Sequence, residues 1–217
     1  MNDCKVTKML PRPVSIFDDN FPEHLPESAS IGAPPPLGAG SGQLYIVVPK
    51  LLIGGKDLGP AIFLIKEHRP KDAKTHNTWG PPGGETDKTD HSPLHAALRE
   101  FGEEVGADWR MLANASPAFQ LVRLRKMPRT NESWAMIVNL EAQQAENALF
   151  GEDRSKWTLN KRMNTSLSNE VGGYAFVPIK AILAADPKTG TFAIGANKVN
   201  LRIVSYTLDA VKKIAAM

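Results

Sequence analysis

The chain has 217 residues, of which 42% are hydrophobic and 23% charged, and its formal net charge is +3. This composition is ordinary for a soluble globular protein with one buried domain and an extension, and the mild basicity suits either an anionic ligand or a plain solvated surface. The single cysteine, Cys4, excludes an internal disulfide framework and a cysteine-based zinc cluster. Because there is no long apolar run and no secretory signal core, we expect a cytoplasmic protein with no membrane partner.

Residues 1–41 differ in composition from the rest of the chain. Prolines occupy positions 11, 13, 22, 26, 34, 35 and 36, and IGAPPPLGAGSG closes the stretch. Proline removes hydrogen-bond donors and glycine raises chain entropy, so this segment is a poor candidate for a core. We predict an N-terminal extension over 1–41 and one domain over 42–217. Three apolar residues of the extension could dock locally or across the subunits of a homodimer: Ile16, Phe17 and Phe21.

Short apolar runs bounded by glycine and proline predict buried strands from Gln43 onward. The first two are QLYIVVPKLLIGG and PAIFLIKEH, and two more, AFQLVRLRKM and SWAMIVNLEA, are separated by PRTNE. The polar stretch 143–169 is long for a connection, so it indicates a lid or a surface loop.

The C-terminal part contains a strand running into a short helix, predicted by GYAFVPIKAILAA, and a turn at DPKTG. NLRIVSYTLDAVKKIAA predicts a closing amphipathic helix, because apolar residues recur there at helical spacing: Leu201, Val204, Leu208, Val211 and Ile214. Together the elements predict a mixed sheet with about three helices, which is an α/β sandwich.

The segment WGPPGGETDKTDHSPLHAALREFGEEVGAD, residues 79–108, joins a glycine-rich turn to a predicted helix. Ser92 supplies an N-cap oxygen, Pro93 suits the first helical position, and Gly106 suits a left-handed C-cap. Apolar residues recur every three or four positions between these ends and form one stripe: Leu94, Ala97, Leu98, Phe101 and Val105.

Three glutamates, Glu100, Glu103 and Glu104, are expected on the outer face of this helix. Alone, such a face indicates solvated charge. However, carboxylates this crowded repel one another unless a cation neutralises them, and hard divalent ions such as Mg²⁺ prefer oxygen ligands. Backbone carbonyls of the rigid PPGG turn could reach the same ion. Such a site would bind phosphate through the metal and activate a water molecule.

The motif REFGEEVGA, residues 99–107, together with the lead-in WGPPGG, resembles the signature of the Nudix hydrolases. That signature reads G-x5-E-x7-R-E-U-x-E-E-x-G-U, where U is a bulky apolar residue, and Ala107 is small for its last position. The resemblance implies a Nudix-type α/β/α sandwich with a mixed sheet. It also implies a hydrolase, dependent on Mg²⁺ or Mn²⁺, that cleaves a nucleoside diphosphate linked to some group X.

The first glutamate of the signature has no direct counterpart in this chain. Counting back from Arg99 it falls on His91, and counting forward from Gly84 it falls on Asp90, because the loop is longer than the signature allows. In the family this glutamate supports the corner between loop and helix. We therefore expect Asp90 to brace the turn, with His91 exposed beside it.

The resemblance also assigns roles to the residues of the motif. Glu103 and Glu104 are expected metal ligands, with Gly83 lending its carbonyl oxygen. Glu100 is expected to be a ligand or the base that deprotonates water. Arg99 is expected to orient the glutamates.

Residues outside the motif complete the expected site. Glu170 precedes a predicted strand, where many relatives place one more acidic ligand or base, although a plain loop carboxylate is an alternative. Arg123 and Arg125 alternate along a strand, so both point to one face and either clamp phosphate or form an ordinary exposed surface. Trp79, at the glycine-rich turn, is assigned to substrate binding.

Aromatic and basic residues offer further contacts for a nucleotide. Phe119, Trp134 and Trp157 are candidates for stacking a base, with burial in the core as the alternative for Trp134. A basic loop, which either meets a polyphosphate or RNA backbone or faces water, consists of His68, Arg69, Lys71 and Lys74.

Three functions therefore remain in competition at the level of sequence. The first is a metal-dependent pyrophosphohydrolase of a dinucleoside polyphosphate, ADP-ribose, a nucleotide sugar or an oxidised nucleotide. The second is hydrolysis of a capped or triphosphorylated RNA end. The third, favoured by the altered loop, is a non-catalytic nucleotide-binding or regulatory module.

Overall fold

The computed structural model describes residues 7–8, 30–31, 40–90, 92–107, 112, 118–124, 133–150, 171–194, 196–202 and 204–217. The strands among these residues are β1 Thr7–Lys8, β2 Ser30–Ile31, β3 Ser41–Val48, β4 Leu52–Ile53, β5 Lys56–Asp57, β6 Ala61–Glu67, β7 Thr78–Gly80, β8 Gly83–Glu85, β9 Ala118–Arg123, β10 Ser133–Asn139, β11 Val171–Pro178, β12 Thr191–Ile194 and β13 Asn197–Leu201. The helices are α1 Pro93–Val105, α2 Ala142–Phe150, α3 Ile179–Leu183 and α4 Val204–Ala215.

Eleven of the described strands form one mixed sheet, as the sequence predicted. Its main path runs β1-β9-β10-β3-β6-β7-β13-β12, with β11 paired to β6, β2 to β9 and β8 to β3. The pairs β10–β3, β13–β7 and β2–β9 are parallel, and the other pairs are antiparallel. The remaining strands, β4 and β5, form a separate hairpin. The central strands β3 and β6 are therefore covered on both edges by neighbours.

Helices cover both faces of this sheet and create two hydrophobic cores. Alternate residues of β3 point to opposite sides: Leu44 and Ile46 enter the core that α1 and α2 cover, whereas Tyr45 and Val47 enter the core that α3 and α4 cover. We call these the α1-side core and the α4-side core. Strands buried on both faces read as continuous apolar runs, which is why the sequence located β3, β6 and β10. The α/β/α sandwich is confirmed.

The helix α1 has the ends that the sequence predicted. The Ser92 side chain accepts a hydrogen bond from the amide of His95, Pro93 opens the helix, and Gly106 adopts a left-handed conformation with φ 69°. The apolar stripe of the helix is buried in the α1-side core, where a fully buried Leu98 or Phe101 contributes about 1.5–3 kcal/mol relative to exposure. The helix is thus fixed at both ends and along one face.

Two predicted elements and the number of helices differ in the structure. The stretch 143–169, expected as a loop, begins inside helix α2, because alanines at helical spacing pack with Leu149 on the α1-side core. The rest of that stretch lies outside the described residues. The closing helix begins at Val204, and Leu201 belongs instead to β13, which pairs with β7 and with β12. Among the described residues there are four helices, where about three were expected.

Within the part of the chain that the structure describes, no helix is both long enough and apolar enough to cross a membrane.

Candidate active site

The PPGG turn forms a rigid corner against the start of β3. Residues Gly83 and Gly84 of β8 pair with Gln43 and Gly42, and the Leu44 amide donates to the Pro82 carbonyl at 2.8 Å. Gly83 has φ 143°, and a Cβ atom there would lie 2.2 Å from the carbonyl oxygen of Gly42. Only glycine fits this close approach of two strands.

Helix α1 meets this corner through two of its glutamates. The amide of Gly83 donates to Oε2 of Glu104 at 2.9 Å. Next to it, a Cβ atom on Gly84 would lie 2.6 Å from Oε1 of Glu100. Gly84 thus leaves space that one helix carboxylate approaches and the Gly83 amide binds another, which explains why a glycine-rich turn leads directly into an acidic helix.

The three glutamates of α1 do not share one environment. The side chain of Glu103 is 55% exposed and that of Glu100 is 20% exposed, but Glu104 is only 3% exposed. The expectation of three glutamates on an outer face was therefore wrong for Glu104. That residue follows Phe101 by three positions, so it lies at the border of the apolar stripe and turns toward the glycine corner.

Arg99 connects three carboxylates at the start of the acidic turn. Its Nη1 donates to Oε2 of Glu103 at 2.9 Å and its Nη2 to Oε1 of Glu100 at 3.0 Å. A third carboxylate, that of Asp90, accepts from Nε and Nη2 of Arg99 at 3.2 and 3.0 Å. Burial lowers the pKa of Arg99, but these three carboxylates outweigh that effect and raise the pKa above its usual range. The guanidinium is permanently charged.

The surroundings of Glu100 affect the protonation of its carboxyl group. Burial raises the pKa of Glu100 above its ordinary value, and the charge and hydrogen bond of Arg99 oppose this rise. A carboxylate with a raised pKa binds a proton more readily than an exposed one, which suits a general base.

Asp90 occupies the bracing position that the sequence predicted. Its carboxylate is buried, accepts a hydrogen bond from the Asp87 amide at 3.0 Å, and lies 3.7 Å from Nδ1 of His95. Together with the bonds from Arg99, these contacts tie the loop to the first and second turns of α1. His91, expected to be exposed beside it, lies outside the described residues.

We expect Asp90→Ala to lower turnover by about 10–100-fold, the range typical for groups that orient ligands through hydrogen bonds. The substitution would leave Arg99 free to swing away from Glu100 and Glu103. Steady-state rates should be compared with those of Asp57→Ala, which alters an exposed aspartate in the β4–β5 hairpin, 2.8 Å from the Gly59 amide. Equal rates for Asp90→Ala and the parent protein would disprove the bracing role.

A buried arginine that the sequence did not indicate lies behind the corner. Arg202 follows β13, is 8% exposed, and donates to the carboxylate of Glu67, to the carbonyl of Pro81 and, at 3.3 Å, to Oε1 of Glu104. Burial lowers the pKa of Arg202 to about 10, so it remains charged at neutral pH. The available signals were a charged residue inside the apolar run NLRIVSY and a glutamate ending the apolar strand AIFLIKE.

The other predicted residues lie in one of the two cores, at the end of β9, or outside the described part. Trp79 packs on the α4-side core, on the sheet face opposite α1, and Arg123 is exposed at the end of β9. Phe119 and Trp134 are buried in the α1-side core, so neither is available to stack a base. Residues that lie outside the described part are Glu170, Arg125 and Trp157.

The chemistry of the acidic cluster fits a hard divalent ion, because all its side-chain donors are carboxylate oxygens within one helical turn. Its present arrangement is different from a formed ligand set. Among the described side chains, no group of three or more His, Cys, Asp or Glu is placed to hold a metal ion. In this arrangement Arg99 binds Glu100 and Glu103, whereas Glu104 accepts from the Gly83 amide and from Arg202.

Comparison with known proteins gives a match to the family model described as NUDIX domain, over residues 48–192. No curated protein matches the chain significantly.

Several solved structures resemble the chain in fold. One is a C. elegans Ap4A hydrolase binary complex, with 14% identity, coverage of 66% of this chain and 82% of that chain, and a TM-score of 0.38. Another is the NUDIX domain of Shewanella oneidensis NrtR complexed with ADP ribose. The identity is 12%, the match covers 82% of this chain and 87% of that chain, and the TM-score is 0.44. A third is the MutT protein from Methanosarcina mazei Go1. The identity is 14%, the match covers 81% of this chain and 91% of that chain, and the TM-score is 0.41.

Proposed function

The chain belongs to the Nudix family of pyrophosphohydrolases, and we propose that its substrate is a nucleoside diphosphate linked to a further group. Candidates are a dinucleoside polyphosphate, ADP-ribose, a nucleotide sugar or an oxidised nucleotide. The observation that supports this most strongly is the acidic turn of α1 beside the glycine corner, with Arg99 connecting Glu100 and Glu103. Water would attack phosphorus and release a nucleoside monophosphate.

We assign the metal-binding role to Glu100, Glu103 and Glu104, with the carbonyl of Gly83 as a further ligand. A bound Mg²⁺ or Mn²⁺ would neutralise phosphate charge and lower the pKa of a water molecule. To hold the ion, Glu100 and Glu103 would present the carboxylate oxygens opposite those that accept from Arg99. Glu104 is already directed at the corner by its bond from the Gly83 amide.

The alternative role of Glu100 is that of the base for the attacking water, since its side chain is only 20% exposed beside the glycine corner, whereas that of Glu103 is 55% exposed, and burial raises the pKa of Glu100. Arg99 would hold Glu100 and Glu103 in place, because its planar fork contacts both carboxylates at once. Glu170 is proposed as an additional acidic ligand or base, and Arg123 and Arg125 as a clamp for substrate phosphate.

The test is a panel of nucleoside diphosphate compounds assayed with Mg²⁺ and with Mn²⁺, with identification of both products. Metal-dependent release of a nucleoside monophosphate from one member supports the proposal. Two other results would replace the proposed substrate class by another function. Cleavage restricted to RNA 5′ ends, with salt-sensitive binding, would assign the chain to RNA-end hydrolysis. Saturable nucleotide binding without turnover would assign it to a regulatory module.

A further inference from the structure

A second network of charges, separate from Arg99, contacts the same acidic turn from the inside of the protein. Arg202 donates to Glu67, to the Pro81 carbonyl and to Glu104, whose other oxygen accepts from the Gly83 amide. We propose that Arg202, held in place by Glu67, is a positioning residue that fixes the Glu104 carboxylate for metal binding. This inference rests on the proposed function, in which Glu104 is a metal ligand.

Hydrogen bonds of its main chain fix the position of Arg202 next to the PPGG turn. Its amide donates to the carbonyl of Trp79 at 2.6 Å, and its carbonyl accepts from Oγ1 of Thr207 at 2.8 Å. The first bond attaches it to β7, just before the PPGG turn, and the second attaches it to the first turn of α4. The position of the arginine is therefore set by the parallel pairing of β13 with β7, in which Leu201 is opposite Trp79.

The side chain suits this task because a guanidinium carries five donors in a rigid plane. Three acceptors surround it here, from Glu67, Glu104 and Pro81, and a single ammonium group cannot meet all three in the same geometry. Glu67 is itself 3.0 Å from Nε of Arg69, so two arginines and two buried glutamates alternate along the network. The bonds that Glu104 accepts from Arg202 and from the Gly83 amide orient its buried carboxylate.

The contacts of Glu104 hold its carboxylate at the glycine corner. One of its oxygens accepts from the Gly83 amide and the other accepts from Arg202. These two bonds fix the plane of the carboxylate. Outer contacts of this kind raise metal affinity because the ligand loses little freedom on binding.

The experiment measures two properties of each variant. The first is Mn²⁺ affinity of the folded protein without substrate, by isothermal titration. The second is hydrogen exchange of the Gly83 amide in metal-free protein, which reports directly on its bond to Glu104. We expect Arg202→Met to weaken Mn²⁺ binding by about 10–100-fold and to speed exchange at Gly83. Arg202→Lys keeps the positive charge but loses the planar guanidinium. Its Mn²⁺ affinity and its Gly83 exchange rate should lie between those of Arg202→Met and the parent protein.

Two further variants make the result decisive. In Gly80→Ala, the new Cβ would lie 2.8 Å from Nε of Arg202, so it displaces the guanidinium without deleting it. We expect Gly80→Ala to weaken Mn²⁺ binding as Arg202→Met does. If Arg202→Met does not fold, Gly80→Ala still tests whether the position of the guanidinium controls Mn²⁺ affinity. Lys213→Met removes an exposed cation 3.0 Å from Asp209 and should change neither measurement.

The inference is overturned if folded Arg202→Met, Arg202→Lys or Gly80→Ala retains the Mn²⁺ affinity and Gly83 protection of the parent protein. A purely structural role would lower the melting temperature and leave both measurements unchanged. Failure of the proposed function looks different, since the parent would then bind Mn²⁺ in an Arg202-dependent manner but hydrolyse no compound in the panel.

Discussion

Glu103→Gln and Glu104→Gln are each expected to lower turnover by at least about 10²-fold while leaving the fold intact. Both residues are assigned to metal binding, and electrostatic stabilisation of developing charge by a metal site contributes several kcal/mol to catalysis. Glutamine keeps the size of the side chain but removes the negative charge that holds the cation. The loss should therefore appear in kcat and in the metal concentration needed for half-maximal rate.

The two variants should differ in stability, because their environments differ. Glu103 is 55% exposed and bonded to Arg99 near solvent, so its replacement should leave the melting temperature almost unchanged. Glu104 is buried beside Arg202, so its replacement leaves a buried cation with less compensation and should lower the melting temperature. Rates at limiting Mg²⁺ and thermal unfolding together separate catalytic loss from unfolding.

Glu141→Gln provides the control, since Glu141 is an exposed glutamate just before α2 and far along the chain from the acidic turn. It should match the parent protein in rate and in melting temperature. Near-parental turnover of either Glu103→Gln or Glu104→Gln at limiting Mg²⁺ would show that the corresponding residue is not a ligand.

Local signals were sufficient to predict helix α1 and its corner. The caps at Ser92 and Gly106 depend on the conformation of single residues, and the apolar stripe depends on spacing within one helix. The bracing position of Asp90 could also be predicted, because it lies only nine residues before Arg99 and one loop connects them. Interactions of this range are encoded within a short stretch of sequence.

Long-range pairing could not be predicted in the same way. Arg202 is 135 residues from Glu67 and 98 from Glu104, and no spacing rule relates positions so distant. The helical pattern that included Leu201 was ambiguous for the same reason, because pairing with β7 decided that this residue belongs to a strand. Glu104 was predicted on the exposed face of α1, because its partner Arg202 comes from a distant part of the chain.

The acidic helix α1 rests on strand β3 next to Gly42. Gly42 of β3 pairs with Gly84 on one side and Trp134 on the other, so it cannot move sideways. A Cβ atom at Gly42 would lie 1.6 Å from the carbonyl oxygen of Pro93 and 3.0 Å from Cβ of Ala97. The obstacle is helix backbone, which cannot rotate away as a side chain can, so Gly42→Ala must push the first turn of α1 off the sheet.

We expect Gly42→Ala to destabilise the protein by about 3 kcal/mol, at the upper end of typical overpacking costs. For a chain of this size that corresponds to a fall of roughly 6–12 °C in melting temperature. Because Glu100 and Glu104 contact the glycine corner, a displaced helix should also lose turnover, and a shift of about 1 Å can cost roughly 10²-fold.

Gly102→Ala is the matched control for this effect, since it makes the same substitution within α1 itself. No atom lies within 4 Å of a Cβ placed at Gly102. Alanine is favoured over glycine inside a helix by about 0.8–1.0 kcal/mol, so this variant should be as stable as the parent or more so, with unchanged turnover. If Gly42→Ala kept the melting temperature and turnover of the parent, as Gly102→Ala should, the close packing of α1 on β3 would be incorrect. In that case the glycine corner could not hold Glu100 and Glu104 at the distances on which the catalytic assignment depends.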